Sequence, residues 1–271
     1  MQVNTFLGIR TFVAVAFVAV GGYVALGSLR QAFLALRLLR THRVPVRELM
    51  EETGRQVTLV GTAAVASGHE PLEGPFSGRP SLVVGYEVKE ERTSHDANTN
   101  STRRTWKTID QGWTSVPFVL DDETASVRVD PAGAQFSVGV DESTRIAGGR
   151  RPPERIRTFV ETNERVDSEE SGFDVGPIRL STGRDRKYVE YRLEVGDDVC
   201  VLGTPRAARG EVGEVNAVVD GGTPFVVVDG DPQSAAVRLV GGSLLPLLFG
   251  GLFAVVGLVL LLGGPFVGGF P

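Results

Sequence analysis

Cysteine, histidine and lysine are nearly absent from this chain of 271 residues. It has one cysteine, Cys200, three histidines (His42, His69, His95) and three lysines (Lys89, Lys107, Lys187). A single thiol excludes an internal disulfide framework, and one cysteine with three histidines all but excludes a four-ligand structural zinc site of Cys and His. No glycine-rich phosphate cradle, metal-ligand spacing or nucleophile–base signature occurs. Charge is also missing from both ends. All 33 acidic residues lie between Glu48 and Asp231, a window holding 21 of the 28 basic ones, so the middle carries −12 against −5 for the whole chain. An acidic middle argues against broad binding to a nucleic-acid backbone. Arginine-heavy, acid-rich and lysine-poor composition fits a halophilic source, where an acidic surface of dense carboxylates maintains solubility.

The uncharged ends are long enough to cross a bilayer. TFVAVAFVAVGGYVALGSL, Thr11 to Leu29, has no charge; at ~1.5 Å per residue such a run spans a hydrocarbon core of ~30 Å. Ala25-Leu26-Gly27 would serve as a signal-peptide cleavage site. The run nevertheless exceeds a signal-peptide core of roughly 7–15 residues, and Arg30 with a mixed helix follows at once, so we read an uncleaved anchor. No charge occurs from Leu239 to Pro271, and LLPLLFGGLFAVVGLVLLL supplies a second span. Gly264 and Gly268 have helix-dimerisation spacing, weakened by the intervening Pro265; self-association to a homo-oligomer stays open.

Orientation follows from arginines. Arg30, Arg37, Arg40, Arg43 and Arg47 follow the first span, against Arg10 and the amino group before it. The positive-inside rule places the middle in the cytoplasm of a multi-pass protein of the cell membrane. Asn100-Ser101-Thr102 competes, since an N-glycosylation triplet matters only outside.

The middle reads as strands. Gln56–Ala66 has apolar residues on both faces, and Leu82–Glu91 forms a second strand. Arg103–Ile109 and Trp113–Leu120 form a hairpin around Asp110-Gln111-Gly112, with His95 to Thr99 a loop before it. Ser126–Asp130 follows the turn Asp121-Asp122-Glu123-Thr124. One helix starts at Pro152-Pro153 and carries the stripe Ile156, Phe159, Val160. In Tyr188–Val195 alternation places Val189, Tyr191, Leu193 and Val195 inward, with Glu190, Arg192 and Glu194 in water. Val199–Leu202 is interior, and Glu211–Val219 and Phe225–Asp229 close the series. The fold class is mainly β: one β-rich barrel or sandwich with a short helix, eight or nine short strands, flanked by two transmembrane helices. The organisation is a tail (1–10), a membrane helix (11–29, helical to about 40), a juxtamembrane linker (41–55), the β-rich domain (56–231), a second membrane helix (239–262) and a tail (263–271).

Two blocks carry a family resemblance. Trp113, then Pro117-Phe118-Val119-Leu120-Asp121, resembles the "PF-x-L-D" segment of the GIDE-type, or beside-a-membrane, domain. Tyr188, Glu190, Leu193, Gly196, Asp197, Val199, Val201 and Gly203 match that domain's "Y-x-E-x-x-L-x-x-G-D-x-V-x-V-x-G" block, and the order helix, domain, helix is similar too. The resemblance is strongest over 56–205. It implies E3 ubiquitin ligase chemistry, which the family's mitochondrial ligase performs with a RING placed after its second membrane helix. A RING holds two four-coordinate zinc ions, and one cysteine and three histidines cannot supply those ligands. The resemblance also implies the outer face for the domain, opposite to the arginine count.

Candidate catalytic residues read better as structure. Asp121-Asp122 and Asp197-Asp198 fit turns, Cys200 sits between valines as an inert thiol, and His69 and His95 lie in polar loops. Trp106 and Trp113 offer ligand stacking or hairpin packing, with packing favoured. Arg184-Asp185-Arg186-Lys187 offers contact to lipid phosphates or an acidic partner, against a solvated turn. No catalytic, cofactor-binding or metal residue is assigned. The family-motif positions Trp113, Pro117, Phe118, Asp121, Tyr188, Glu190, Gly196, Asp197 and Gly203 are expected to be structural. The expected partners are the lipid bilayer and a membrane or cytoplasmic protein, and the expected role is adaptor or sensor in membrane-protein quality control or stress signalling. A non-RING component of a ubiquitin-ligase-like system and a membrane scaffold are the alternatives.

Overall fold

The computed structural model describes residues 2–96, 101–163, 166, 172–175, 178–181, 183–209, 214–241 and 244–262. Asn98, Asn100, the strand start at Glu211 and the tail 263–271 lie outside the described residues. In chain order the elements are α1 (Gln2–Arg40), a 3-10 helix (Val46–Glu52), β1 (Val57–Val65), β2 (Leu72–Glu73), β3 (Pro80–Asp96), β4 (Ser101–Ser115), β5 (Phe118–Asp121), β6 (Ser126–Val129), β7 (Gln135–Ser137), β8 (Val140–Ile146), α2 (Glu154–Thr162), β9 (Gly172–Val175), β10 (Ile178–Ser181), β11 (Arg186–Glu194), β12 (Asp198–Gly203), β13 (Pro205–Ala207), β14 (Glu214–Val219), β15 (Val226–Asp229), α3 (Pro232–Gly241) and α4 (Leu244–Leu262). They form two compact units, one of residues 1–41 with 232–271 and one of 42–231.

In the helical unit, Thr11–Arg40 and Leu245–Leu262 are long and apolar enough to cross a membrane. Small residues let α1 and α4 approach backbone to backbone. A Cβ on Gly250 would stand 2.9 Å from the Ala25 amide nitrogen and the Gly21 carbonyl oxygen, and one on Gly257 would stand 2.8 Å from the Ala14 carbonyl. Such crossings gain dispersion contacts that bulkier residues would prevent, which is how helices associate where water supplies no hydrophobic drive. Phe17 meets Phe253 edge to face at 5.1 Å beside the crossing.

The β unit has a half-barrel of eight strands in the order β13-β14-β6-β5-β1-β12-β15-β7 and a smaller sheet in the order β2-β3-β11-β8, with β4 following β2 along the edge of β3 away from β11. β1 is central because both its faces are apolar; it pairs antiparallel with β12 and β5. The main core takes Leu59, Phe118, Leu120, Val127, Val201 and Val227 from the large sheet, Leu82 and Leu193 from the small one, and Val46 and Leu49 from the 3-10 helix. A second core joins α2 to the small sheet through Phe76, Val88, Ile156, Val160 and Tyr188. Four aromatic rings there, Phe76, Tyr86, Phe159 and Tyr188, pack edge to face at 4.9 to 6.3 Å.

Three expectations fail. Asp110-Gln111-Gly112 is not a hairpin turn, because β4 runs unbroken through it and pairs with β3 from Val83↔Ser115 to Asp96↔Ser101. Asp110 accepts bonds from the Tyr86 hydroxyl at 3.0 Å and Asn163 Nδ2 at 2.7 Å. A Cβ on Gly112 would press on the Tyr86 ring at 2.7 Å. The residues that read as turn formers therefore satisfy and clear a neighbouring tyrosine. His95 and Asp96 belong to β3, not to a loop. The third failure concerns β11. Its Glu190 and Arg192 are 0% and 5% exposed, whereas Val195 is 47% exposed. The cause lies in a distant loop.

Candidate functional site

The small sheet centres on β11, which pairs with β3 on one side and β8 on the other. Alternation puts Tyr188, Glu190 and Arg192 on one face of the strand. That face is covered by the loop 74–79. Gly74 N–H donates to the Arg79 carbonyl at 2.9 Å and Gly78 N–H to the Gly74 carbonyl at 2.8 Å, closing a tight loop. Its tip turns two amides inward: Phe76 N–H and Ser77 N–H donate to Glu190 Oε2 at 2.7 and 3.1 Å. The Ser77 hydroxyl donates to Glu190 Oε1. Arg192 Nη1 donates to the same oxygen at 2.6 Å, and its Nε donates to Glu194 Oε1 at 2.9 Å. Arg79 reaches Glu194 at 3.3 Å. Gly74 has to be glycine, since a Cβ would stand 2.5 Å from Glu190 Oε1.

Every lone-pair direction of Glu190 meets a donor. Burial alone would raise its pKa, but the Ser77 hydroxyl, the Phe76 amide and Arg192 outweigh it and hold the carboxyl below its ordinary value. Burial works against the Arg192 charge, while Glu190 and Glu194 hold its pKa up. A carboxylate so engaged has no lone pair left to take a proton from a substrate. It is a clasp that fixes loop 74–79 to the sheet. Beside it, burial raises the Asp141 carboxyl, with Asp229 and Glu194 adding to the effect against the Arg192 amide.

A second polar group surrounds Glu90, which is buried. Arg184 approaches it at 2.8 Å, Arg92 at 3.0 Å and Arg186 at 3.5 Å, and Lys107 is its cross-strand partner on β4. The Arg184-to-Lys187 run is therefore built into the sheet: Asp185 accepts Arg145 Nη2 at 2.7 Å and the Gly148 amide at 3.0 Å.

The remaining motif positions set turns and packing. Phe118 is fully buried in the main core, and Tyr188 fills the second. Trp113 stacks on Phe136 at 5.3 Å and tilts against Tyr191 at 5.5 Å, over the space left by Gly85. Pro117 joins β4 to β5. Asp121 accepts the Glu123 amide at 2.8 Å and the Ser126 hydroxyl at 2.7 Å. Its neighbour Asp122 takes the Val46 amide at 2.7 Å and the Thr124 hydroxyl at 2.6 Å. Gly196 has φ +94° and donates to the Ala63 carbonyl at 2.8 Å, while Asp197 accepts the Glu194 amide at 2.7 Å. Gly203 leaves room for Val219, which a Cβ would meet at 2.5 Å. Burial pushes the Cys200 thiol up to about 12. Trp106 is partly exposed, with the Arg145 guanidinium 5.2 Å from its ring centre. His69 Nδ1 lies 3.1 Å from the Ser67 carbonyl oxygen in an exposed turn. No group of three or more His, Cys, Asp or Glu side chains able to hold a metal ion occurs among the described residues.

Sequence reasoning missed Arg192, Phe76, Ser77 and Arg79. The Glu-x-Arg spacing on a strand was a signal that the two side chains share a face, but nothing local showed which face is covered.

The family model described as E3 ubiquitin ligase, GIDE, matches residues 86–239. The chain belongs to the GIDE family. The matched region runs from the middle of β3 to the end of α3 and contains Trp113, Phe118 and the whole Tyr188-to-Gly203 block. No curated protein and no solved structure matches the chain.

Proposed function

We propose that this GIDE protein is a two-pass membrane protein that presents its β domain to the cytoplasm as an adaptor or sensor in membrane-protein quality control or stress signalling. The observation that carries the reading is the GIDE match over 86–239, combined with two apolar helices long enough to cross a membrane, one on each side of the β unit in the chain. The polar clusters of the β unit favour binding over catalysis, because Glu190, Asp121 and Asp122 spend their oxygens on internal donors. Five arginines between Arg30 and Arg47 favour the cytoplasmic side.

The family description supports a second reading: a component of a ubiquitin-ligase-like system that works with a separate zinc-bearing subunit, since one cysteine and three histidines occur in these 271 residues. Crosslinking in native membranes followed by pull-down separates the two. Recovery of a consistent membrane client without ubiquitin-like machinery supports the adaptor. Recovery of ubiquitin-like conjugating proteins moves the assignment to the ligase component.

A further inference from the structure

The strand β4 is 15 residues long and pairs with β3 alone among the described strands. Past Glu91 and Trp106, which Asp185 and Arg145 still hold, the two strands leave the rest of the sheet, because β11 ends its pairing with β3 at Arg186↔Glu90. Residues 101–108 are exposed on both faces. Among the described strands, the outer edge of β4 over residues 103–108 is thus left to offer a run of backbone N–H and C=O groups to a strand that comes alongside.

Its charge is opposite to that of its surroundings. The β unit, residues 42–231, holds 33 acidic and 23 basic residues, a net of −10, whereas 101–109 holds Arg103, Arg104 and Lys107 and no acid. Behind it, the carboxylates are already engaged: Glu90 faces Arg92, Arg184 and Arg186, while Glu91, opposite Trp106, and Asp185 both meet Arg145. Cations repel a second copy of the same edge and attract a strand with carboxylates at matching positions. On β4, Arg103 and Lys107 share one face and Arg104 and Trp106 the other.

We propose that β4 binds an extended acidic segment of a partner protein by strand addition, with carboxylates four residues apart opposite Arg103 and Lys107 and one on the other face near Arg104. Main-chain bonds to the edge supply affinity, and the spacing of the acids supplies selectivity. The proposal rests on the adaptor reading and names the chemistry of its partner.

The test uses the full chain in phosphatidylcholine nanodiscs, titrated with a labelled peptide of valine and threonine that carries two glutamates four residues apart on one strand face and a third glutamate on the other. Expected are an anisotropy rise, hydrogen-exchange protection confined to β4, and a change in Trp106 emission that is lost in Trp106→Phe. The same peptide with lysine for glutamate should bind at least tenfold more weakly. In the variant Arg103→Glu/Arg104→Glu/Lys107→Glu that order should invert, which also shows that the variant is folded. A glutamate peptide N-methylated at alternate residues keeps the charge and loses the strand bonds, so it should bind at least tenfold more weakly to the unaltered protein. Equal binding of the methylated peptide, or no binding of either, overturns the proposal. So does β4 protection that appears without peptide as protein concentration rises, which would make a second copy the occupant. Protection produced by phosphatidylserine nanodiscs alone would also overturn it, in favour of a lipid surface. Peptide binding in nanodiscs is indifferent to the side the domain faces in cells, so its failure is distinct from failure of the adaptor reading in native membranes.

Discussion

Arg192 Nη1 lies 2.6 Å from Glu190 Oε1, two residues apart on one strand, with both side chains buried under a loop more than a hundred positions earlier in sequence. Removing one member leaves the other charged, dry and short of donors or acceptors. Glu190→Ala and Arg192→Met should each cost about 3–5 kcal/mol. The double variant Glu190→Leu/Arg192→Met should recover part of that loss, because no isolated charge remains. Urea unfolding of the full chain in micelles, read by tryptophan fluorescence, measures both. Strict additivity would mean that the pair does not act as one unit.

Acid should open the same clasp. Glu190 is held below its ordinary value of 4.5, so the unfolded chain takes up the proton first. The contribution is therefore complete above that value and is lost as pH falls through the depressed folded value. Glu87, Glu90, Asp122 and Asp185 shift in the same direction, whereas Asp141 shifts the other way. Glu190→Gln should be less stable at neutral pH and lose less stability on acidification. Urea midpoints between about pH 3 and pH 7 test this; parallel curves for the two proteins would contradict it.

Cys200 should be silent in the folded protein. Its thiol is pushed up to about 12 and is fully buried, against about 8.5 for a free thiol. Maleimide at mildly alkaline pH should label it only after denaturation, at a rate set by opening of the β12 region. Rapid native labelling would place the thiol at the surface.

Gly61 has no room for a methyl group. A Cβ there would overlap the backbone carbonyl of Asp121, which β5 holds in place through its pairing with β1. Gly61→Ala should destabilise the β unit by about 1–3 kcal/mol. Gly221→Ala, where a Cβ meets nothing within 4 Å, is the matched control and should change little.

Topology is tested on intact cells. Carbonate extraction should leave the chain in the membrane pellet, and external protease should spare residues 48–238. Each arginine costs about 2.5–3.5 kcal/mol at the centre of a membrane helix, which reflects how strongly such charges resist entering the bilayer. Cleavage near Asn98 from outside, or a glycan on Asn100, would place the domain on the outer face.

Elements whose signals are local were legible in the sequence. Two long runs without charge announce α1 and α4, Pro152-Pro153 and the Ile156, Phe159, Val160 stripe announce α2, and apolar residues on both faces of Val57–Val65 and Val199–Leu202 announce interior strands. The GIDE motif was legible for the same reason, since its prolines, glycines and aspartates act on their immediate neighbours. Short polar strands such as β8 were not legible, because Asp141 to Arg145 has the composition of a solvated loop and becomes a strand only through pairing with β11. Tertiary structure alone decided the clasp. A two-residue period specifies that Glu190 and Arg192 share a face, but whether that face meets water depends on what the rest of the chain lays over it. Here that cover is Phe76 and Ser77, whose amides exist as paired donors only once the distant loop has closed.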